Sequence, residues 1–396
     1  MTRADRLRVL RISHSATLSA YRDRERALSS EPALEVALCC PERWQHLGGA
    51  DQMEPLAEPF VCRTFKTVGT GSVPLFAFDP RPVIDLLTQF KPHVVDVHEE
   101  PYSVSGFESL LLAKRYAPDA ACVFYSAQNI KKNYPPPFCW SERFVYENSH
   151  GAYPCSTSVQ EVLLAKGFSQ ACPVIGLGVN PLVFSPGVEP LQLPHPEDQL
   201  TIGFTGRLLH CKGVGETLRA VAELKTQNIN VHLVVAGAGQ DEQHFRALAH
   251  QLGLDTTITW LGELNAAKMP SFYTTCDTIV VPSITTPAWR EQFGRVPVEA
   301  MACGVPVIVS DSGSLVEVVA DAGIVVPEQD HVALAQALLQ LKSDAALRTS
   351  LIDKGKRRVE QEYTWSTIAQ SMLALYRGAI ETKRATKSRK GDRVLI

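Results

Sequence analysis

Two patterns of apolar residues alternate along the chain. Short runs rich in Val, Ile, Leu and Phe, bounded by Gly, Pro or polar clusters, are followed by longer stretches whose apolar positions recur every three or four residues. This predicts a parallel sheet with crossover helices. In the first half the runs "RVLRISHS", "LEVALCC", "HVVDVHE", "ACVFYSA", "GAYPCS" and "CPVIGLG" read as strands, with helices at "ESLLLAKRY" and "TSVQEVLLAKG". The stretch "NPLVFSPGVEPLQLPHPEDQL" holds five prolines in 21 residues and no periodicity, as a connection between compact units should.

The alternation then restarts with strands at "TIGFTG", "VHLVVAGAG", "ITWLGE", "TIVVPS", "VPVIVS" and "GIVVP". The expected architecture is α/β with two Rossmann-like, doubly wound domains, residues 1–185 and 186–364. Helices are expected at 330–342 and 345–361, and a final one at 365–382. Its Ile368, Met372, Leu375 and Tyr376 share a face that needs a surface to cover. The basic tail, 383–396, is expected to be solvated and disordered.

Composition narrows the partners. The chain has 396 residues, 45% hydrophobic and 20% charged, with net charge -3 and both signs interspersed, so no broad basic field invites nucleic acid. No run is long enough to span a bilayer, and the start lacks a secretory pattern, so the expected location is the cytoplasm. The ten cysteines are scattered without a C-x-x-C pair and read as reduced, buried hydrophobes.

In open α/β sheets ligands bind beyond the carboxyl ends of the strands, so chemistry is expected there. In "EQFGRVPVEAMACGVPV", Glu291 and Glu299 stand eight residues apart, before and within a helix expected to begin near Val296. Even along a continuous helix they would be roughly 12 Å apart, too far for a shared-proton dyad or a single metal ion. Carboxylates so placed suit hydroxyls at the two ends of one elongated ligand, with the Phe293, Gly294 and Arg295 amides facing an anion between them. Strand "TIGFTG" delivers Arg207 at its carboxyl end, and Lys212 stands just before a helix starting near Gly213. Either alone also reads as a surface cation; together at one sheet edge they form a diphosphate site. A nucleotide sugar has this layout of ribose, diphosphate and hexose.

With "GRLLHCKG", "AGAG", "WLGEL", "VPS", the Glu-x7-Glu stretch and "VIGLGVNPLVFSP", the chain resembles the retaining glycosyltransferases of family 4, which have the GT-B fold. The resemblance implies two domains facing an interdomain cleft, the second binding donor and the first binding acceptor, and a last helix crossing back to the first domain. It implies Arg207 and Lys212 on the donor diphosphate, Glu291 on the transferred sugar, and Glu299 on the ribose. Main-chain contacts from Phe293, Gly294 and Arg295, and a pocket lined by Gly206, Gly237, Gly239, Leu261 and Gly262, complete the donor side. No Asp-x-Asp motif is present, and with two cations on the diphosphate neither a metal nor another cofactor is expected.

The first domain departs from the family. The Gly-Gly loop expected after strand one is replaced by "RISHSATLSAYRDRER", and Gln128 and Asn129 stand where a histidine is common. Acceptor-side candidates are His14, His98, Glu99, Glu100 and Asn129. His98 reads equally as a base or as a hydrogen-bonded structural residue, and the glutamates as ligands or as the favourable charge of a helix start. The expected activity is retaining transfer of a sugar from a nucleoside diphosphate to a small polar acceptor, in a natural-product or small-thiol pathway. A cell-envelope lipid or polysaccharide glycosyltransferase, a nucleotide-sugar epimerase and a non-catalytic nucleotide-sugar binding module are the alternatives.

Overall fold

The computed structural model describes residues 6–45, 51–52, 54–193 and 198–392. The chain divides into two compact units, Met1–Gly176 with Trp365–Ile396, and Leu177–Thr364.

In the first unit, β1 (Leu7–Ile12), β2 (Leu34–Pro41), β3 (Val61–Phe65), β4 (Val94–Val97), β5 (Ala121–Ser126) and β6 (Gly151–Pro154) form one parallel sheet in the order β6-β5-β4-β1-β2-β3. Helices α1 (Asp23–Ser30), α2 (Arg81–Gln89), α3 (Val104–Tyr116), α4 (Phe138–Asn148) and α5 (Thr157–Ala165) connect the strands. In the second unit, β7 (Leu200–Thr205), β8 (Val231–Ala236), β9 (Ile258–Gly262), β10 (Thr278–Val281), β11 (Val307–Ser310) and β12 (Gly323–Val326) repeat the arrangement as β9-β8-β7-β10-β11-β12. Their helices are α6 (Val214–Thr226), α7 (Glu242–Gln251), α8 (Met269–Thr275), α9 (Arg295–Ala302), α10 (Leu315–Val319), α11 (His331–Ser343) and α12 (Ala345–Arg358). Each sheet reverses its strand order once, between β1 and β4 and between β7 and β10. These are the switch points at which doubly wound sheets bind ligands.

Both faces of the first sheet are covered, which explains the nearly continuous apolar runs. Leu10, Ile12, Val95 and Val97 pack on one face. Val9, Val94, Ala121 and Val123 face the other way, against Ile368, Met372, Leu375 and Tyr376. Those four belong to α13 (Trp365–Asp392), which returns to the first unit. Under α13 lies a polar cluster that the apolar pattern hides. Asp96 of β4 accepts from Arg11, Tyr153 and Tyr376, all fully buried, and Arg11 also donates to Glu25 of α1 at 2.7 Å. The α13 packing thus carries a hydrogen bond as well as apolar area.

The carboxyl ends of β4 and β5 are tied by Glu100. One carboxylate oxygen accepts from the Ala127 amide at 2.7 Å and the other from the Ser126 hydroxyl at 2.8 Å. Burial nevertheless pushes this carboxyl up from 4.5 to about 7.

Several expectations need correction. "CPVIGLG" forms no strand: Pro173 lacks the amide a ladder requires, and the segment keeps an isolated bridge of Ala171, just before it, with Gly151 and one bond from the Ile175 amide to the Pro154 carbonyl at 2.9 Å. Conversely β3 was unmarked, because it lies at the sheet edge with polar residues exposed and lacks an apolar run. The units divide at 176/177 and not 185/186. The Val179 amide donates to the Tyr363 carbonyl at 2.7 Å and Phe184 packs on Tyr273, so this stretch belongs to the second unit. α12 ends at Arg358 and continues as a wider turn over Val359–Tyr363. α13 runs past residue 382 to Asp392, with Lys387 bonded to Asp119 at 2.9 Å, where a disordered tail was expected. Residues 393–396 of that tail lie outside the described residues. Among the described residues no helix is long and apolar enough to cross a membrane.

Two predictions follow from the buried polar groups. Tyr376→Phe removes one donor from Asp96 and is expected to cost about 1–3 kcal/mol; Asp96→Ala leaves Arg11 undercompensated and should cost about 3–5 kcal/mol. Urea unfolding checks the order; equal small effects would refute it. For Glu100 the unfolded chain gives up its proton before the folded one. Stability is therefore full below pH 4.5 and declines as pH rises to about 7, by on the order of 3 kcal/mol. Unfolding of Glu100→Gln between pH 4 and 8 should lack that decline.

Candidate active site

At the second unit's switch point, two loops are forced together. After β7 the chain passes through Gly206, Arg207 and a short turn, His210–Lys212, to Gly213, the N-cap of α6 at φ +74°. A Cβ on Gly213 would lie 1.8 Å from the Pro282 carbonyl oxygen, so only glycine lets this turn pack on the loop after β10. The Ile284 amide donates to the Cys211 carbonyl at 2.8 Å and fixes the contact.

That contact sets Lys212 against Glu291. Its ammonium lies 2.7 Å from Glu291 Oε2, which also accepts from the Ser283 hydroxyl at 3.0 Å. The ammonium also sits over the Trp289 ring, 4.4 Å from its centroid. Glu291 is held from behind as well, its carbonyl accepting from the Ser314 amide at 3.2 Å. Side-chain exposures of 20% for Lys212 and 12% for Glu291 leave the pair reachable by solvent. Arg207 stands exposed on the same loop as Lys212.

Glu299 occupies a different environment. It lies in α9, whose N-cap is Gly294 at φ +83°, and accepts from the Tyr273 hydroxyl at 2.7 Å while Arg295 lies 3.3 Å from its other oxygen. Burial, then the nearby Glu299 charge, holds the Tyr273 hydroxyl well above its usual value, so it is a donor at all ordinary pH. The Phe293 side chain is buried, edge-on to Tyr363, so what this residue offers a ligand is main chain. Gly206, Gly237 and Gly262 converge at the same sheet edge. The Gly237 amide donates to the Gly262 carbonyl at 2.7 Å, and a Cβ on Gly237 would meet the Gly206 carbonyl at 1.9 Å. A Cβ on Gly239 would meet the Leu208 carbonyl at 2.3 Å, and Leu261 is half-buried at the end of β9.

The first unit's switch point has its own pair. Glu99 follows β4, is fully buried, and takes both the His14 amide at 2.7 Å and the His14 Nδ1 at 2.6 Å. The ring rests against Trp44 and Phe76, at 4.6 and 5.7 Å between centroids. In the neutral ring Nδ1 carries the proton and Nε2 is left as an acceptor. His98 does not join them. Its Nδ1 faces the Tyr153 hydroxyl at 3.0 Å and Arg24 at 3.2 Å, its ring stacks on Tyr125, and enclosure followed by the Arg24 charge holds it well below its usual value. These contacts occupy its Nδ1 and one face of its ring. Glu100 is the tie between β4 and β5 described above, and Asn129 is buried nearby on the loop after β5.

The structure sets Lys212 against Glu291, a contact the sequence reading did not foresee. Ser283, Trp289 and Tyr273 were missed as well. Ser283 closes the "VPS" run and so carried a signal; Trp289 and Tyr273 are aromatic residues whose polar role shows only in three dimensions.

The family model described as glycosyl transferases group 1 matches residues 189–358, nearly the whole second unit. A D-inositol 3-phosphate glycosyltransferase of Stackebrandtia nassauensis is 31% identical over 76% of this chain and 71% of its own length. An uncharacterized glycosyltransferase of Methanocaldococcus jannaschii is 32% identical, but over 47% of this chain and 46% of that protein. Among solved structures, a glycosyltransferase from Rickettsia africae superposes with TM-score 0.73 at 16% identity, covering 95% of this chain and 99% of that one. Anabaena HepE, solved with UDP and glucose, gives 0.66 at 17% over 93% and 98%. With its two doubly wound sheets and these relatives, the chain belongs to the group 1 glycosyltransferases and has the GT-B fold.

Proposed function

We propose that the protein transfers a sugar from a nucleoside diphosphate to a hydroxyl of a small, polar acceptor, with retention of anomeric configuration and without a metal ion. The observation that carries this reading is the group Lys212, Glu291 and Ser283 at the second switch point, with Arg207 on the same loop. Without donor, Lys212 and Glu291 neutralise each other. A diphosphate carries more charge than one carboxylate, so it draws Lys212 to itself and frees Glu291 to accept hydrogen bonds from the sugar hydroxyls. Donor binding and sugar recognition are then one exchange of partners.

Glu299, oriented by Tyr273, holds the ribose hydroxyls; Gly206, Gly237, Gly239, Leu261 and Gly262 shape the nucleoside end. The amides of Phe293, Gly294 and Arg295 meet the diphosphate at the start of α9. As the anomeric C–O bond breaks, its electron pair goes to the diphosphate oxygen, where Arg207 and Lys212 stabilise the growing charge. The departing phosphate takes the acceptor's proton on the same face. No carboxylate nucleophile is then needed, and two fixed cations do what a metal would otherwise do.

Acceptor recognition falls to the first unit, with His14 Nε2 and Asn129 as contacts. The relatives named for D-inositol 3-phosphate support a small, hydroxyl-rich acceptor. Ten free thiols support a reducing location, the cytoplasm.

The test is a donor screen with UDP-, GDP-, ADP- and dTDP-sugars against polyol acceptors, read by mass spectrometry in the presence of EDTA, with product configuration by NMR. A retained glycoside insensitive to EDTA is expected. Lys212→Ala should lower kcat/KM at least about 100-fold with its unfolding curve little changed. Near-normal turnover of that variant, an epimerised donor as sole product, or donor binding without any product would overturn the proposal.

A further inference from the structure

The opposite end of the first sheet, where the strands begin, holds a feature that sugar transfer does not use. A cavity of about 730 Å³ opens between the starts of β1, β4 and β5, the turn after α3, and α13. A second recess of about 360 Å³ lies on the other side of Lys383 and Lys387.

The larger cavity is lined by five cations, Arg8, Lys91, Lys383, Arg384 and Lys387, against one carboxylate, Asp119. Asp119 is bonded to Lys387 at 2.9 Å, and Arg8 Nε donates to the Lys91 carbonyl at 2.8 Å. Lys91, Lys383 and Arg384 have no carboxylate partner among the described residues. In a chain of net charge -3, this is a local excess of positive charge. Two further observations mark the spot. Lys91 is held at φ +50°, a left-handed conformation in which a side chain is strained. His93, which lines the same cavity, accepts the Arg8 amide on its Nδ1 at 3.0 Å and is held below its usual value by burial and by the Arg8 and Arg384 charges, so it adds no charge at neutral pH. Leu7, Leu87 and Ile380 provide an apolar floor, and the half-exposed Tyr116 stands at the mouth.

We infer that this cavity is a second anion site, separate from the donor site, that binds a soluble organic phosphate whose apolar or aromatic part lies against Tyr116 and the floor. The volume lies in the range of small-molecule sites. The cations, three of them exposed, surround a half-open recess drawn from four parts of the fold, a concave shape that suits a discrete phosphate and not a flat lipid surface. Bidentate Arg384 and the point charges of Lys383 and Lys91 suit phosphate oxygens.

The test uses inorganic pyrophosphate as probe and calorimetry on the full chain. Because the donor site also takes diphosphate, the background is Arg207→Ala/Lys212→Ala. That protein is expected to retain one pyrophosphate site. Adding Lys383→Glu/Arg384→Glu, the first half-buried and the second exposed on the cavity wall, should weaken it more than 10-fold with helix content unchanged by circular dichroism. Lys91→Gln, on a different element, should weaken it severalfold, which guards against an effect on α13 alone. No pyrophosphate binding in the background protein, or affinity unchanged by the cavity substitutions, would overturn the inference. So would binding to phosphatidylglycerol vesicles that depends on Lys383 and Arg384 when pyrophosphate does not bind. If wild type shows only a site insensitive to Arg207→Ala/Lys212→Ala and lost with Lys383→Glu/Arg384→Glu, this inference stands and the donor assignment fails.

Discussion

A parallel sheet that reverses its strand order must send the loops after its two central strands apart, leaving a crevice at its carboxyl edge. Everything proposed for the second unit depends on how that crevice is closed again. β7 and β10 are paired neighbours, and the loops that follow them meet where Gly213 turns against the Pro282 carbonyl. A side chain there would hold the loops apart, and Lys212 would no longer reach Glu291. One backbone approach, possible only for glycine, therefore sets the charge distribution of the site.

The charge pair so formed is suited to exchange. A fully exposed lysine–glutamate pair is worth roughly 0–1 kcal/mol, and a fully buried one is costly to break from either side. Lys212 and Glu291 lie between these limits, and Trp289 beneath the ammonium and Ser283 beside the carboxylate supply each partner with a second interaction. In the proposed exchange, a lysine that leaves for a diphosphate leaves the carboxylate on the serine, so neither group is stranded.

The second unit was the more legible half in sequence because each of its strands is an apolar run and its charged residues stand at run ends. Arg207, Lys212, Glu291 and Glu299 could be placed by counting from those ends. What could not be read were partnerships set by distant segments. Tyr273 meets Glu299 across 26 residues, and Tyr376 meets Asp96 across 280. In α13, Tyr376 fits the apolar stripe so well that the pattern conceals its hydroxyl, and Arg11 and Asp96 inside β1 and β4 read as interruptions of an apolar run when they form a buried network. In "CPVIGLG" the error ran the other way: apolar content predicted a strand that Pro173 forbids.

The two switch points apply one device to different ends. Each sets a carboxylate that follows one central strand against a nitrogen-bearing side chain that follows the other: Glu99 with His14 in the first unit, Glu291 with Lys212 in the second. Glu99 is fully buried and engages both the amide and Nδ1 of a histidine clasped by Trp44 and Phe76. The two bonds to Glu99 and the contacts with Trp44 and Phe76 fix the direction of the histidine ring. The Lys212 ammonium ends a flexible four-carbon stem and is partly open to solvent, so it can change partners. A transferase needs both behaviours, a donor that is gripped and released in each cycle and an acceptor hydroxyl that is held in one orientation. In the proposed assignment of the acceptor to the first unit and the donor to the second, the difference in burial between Glu99 and Glu291 supplies these two behaviours.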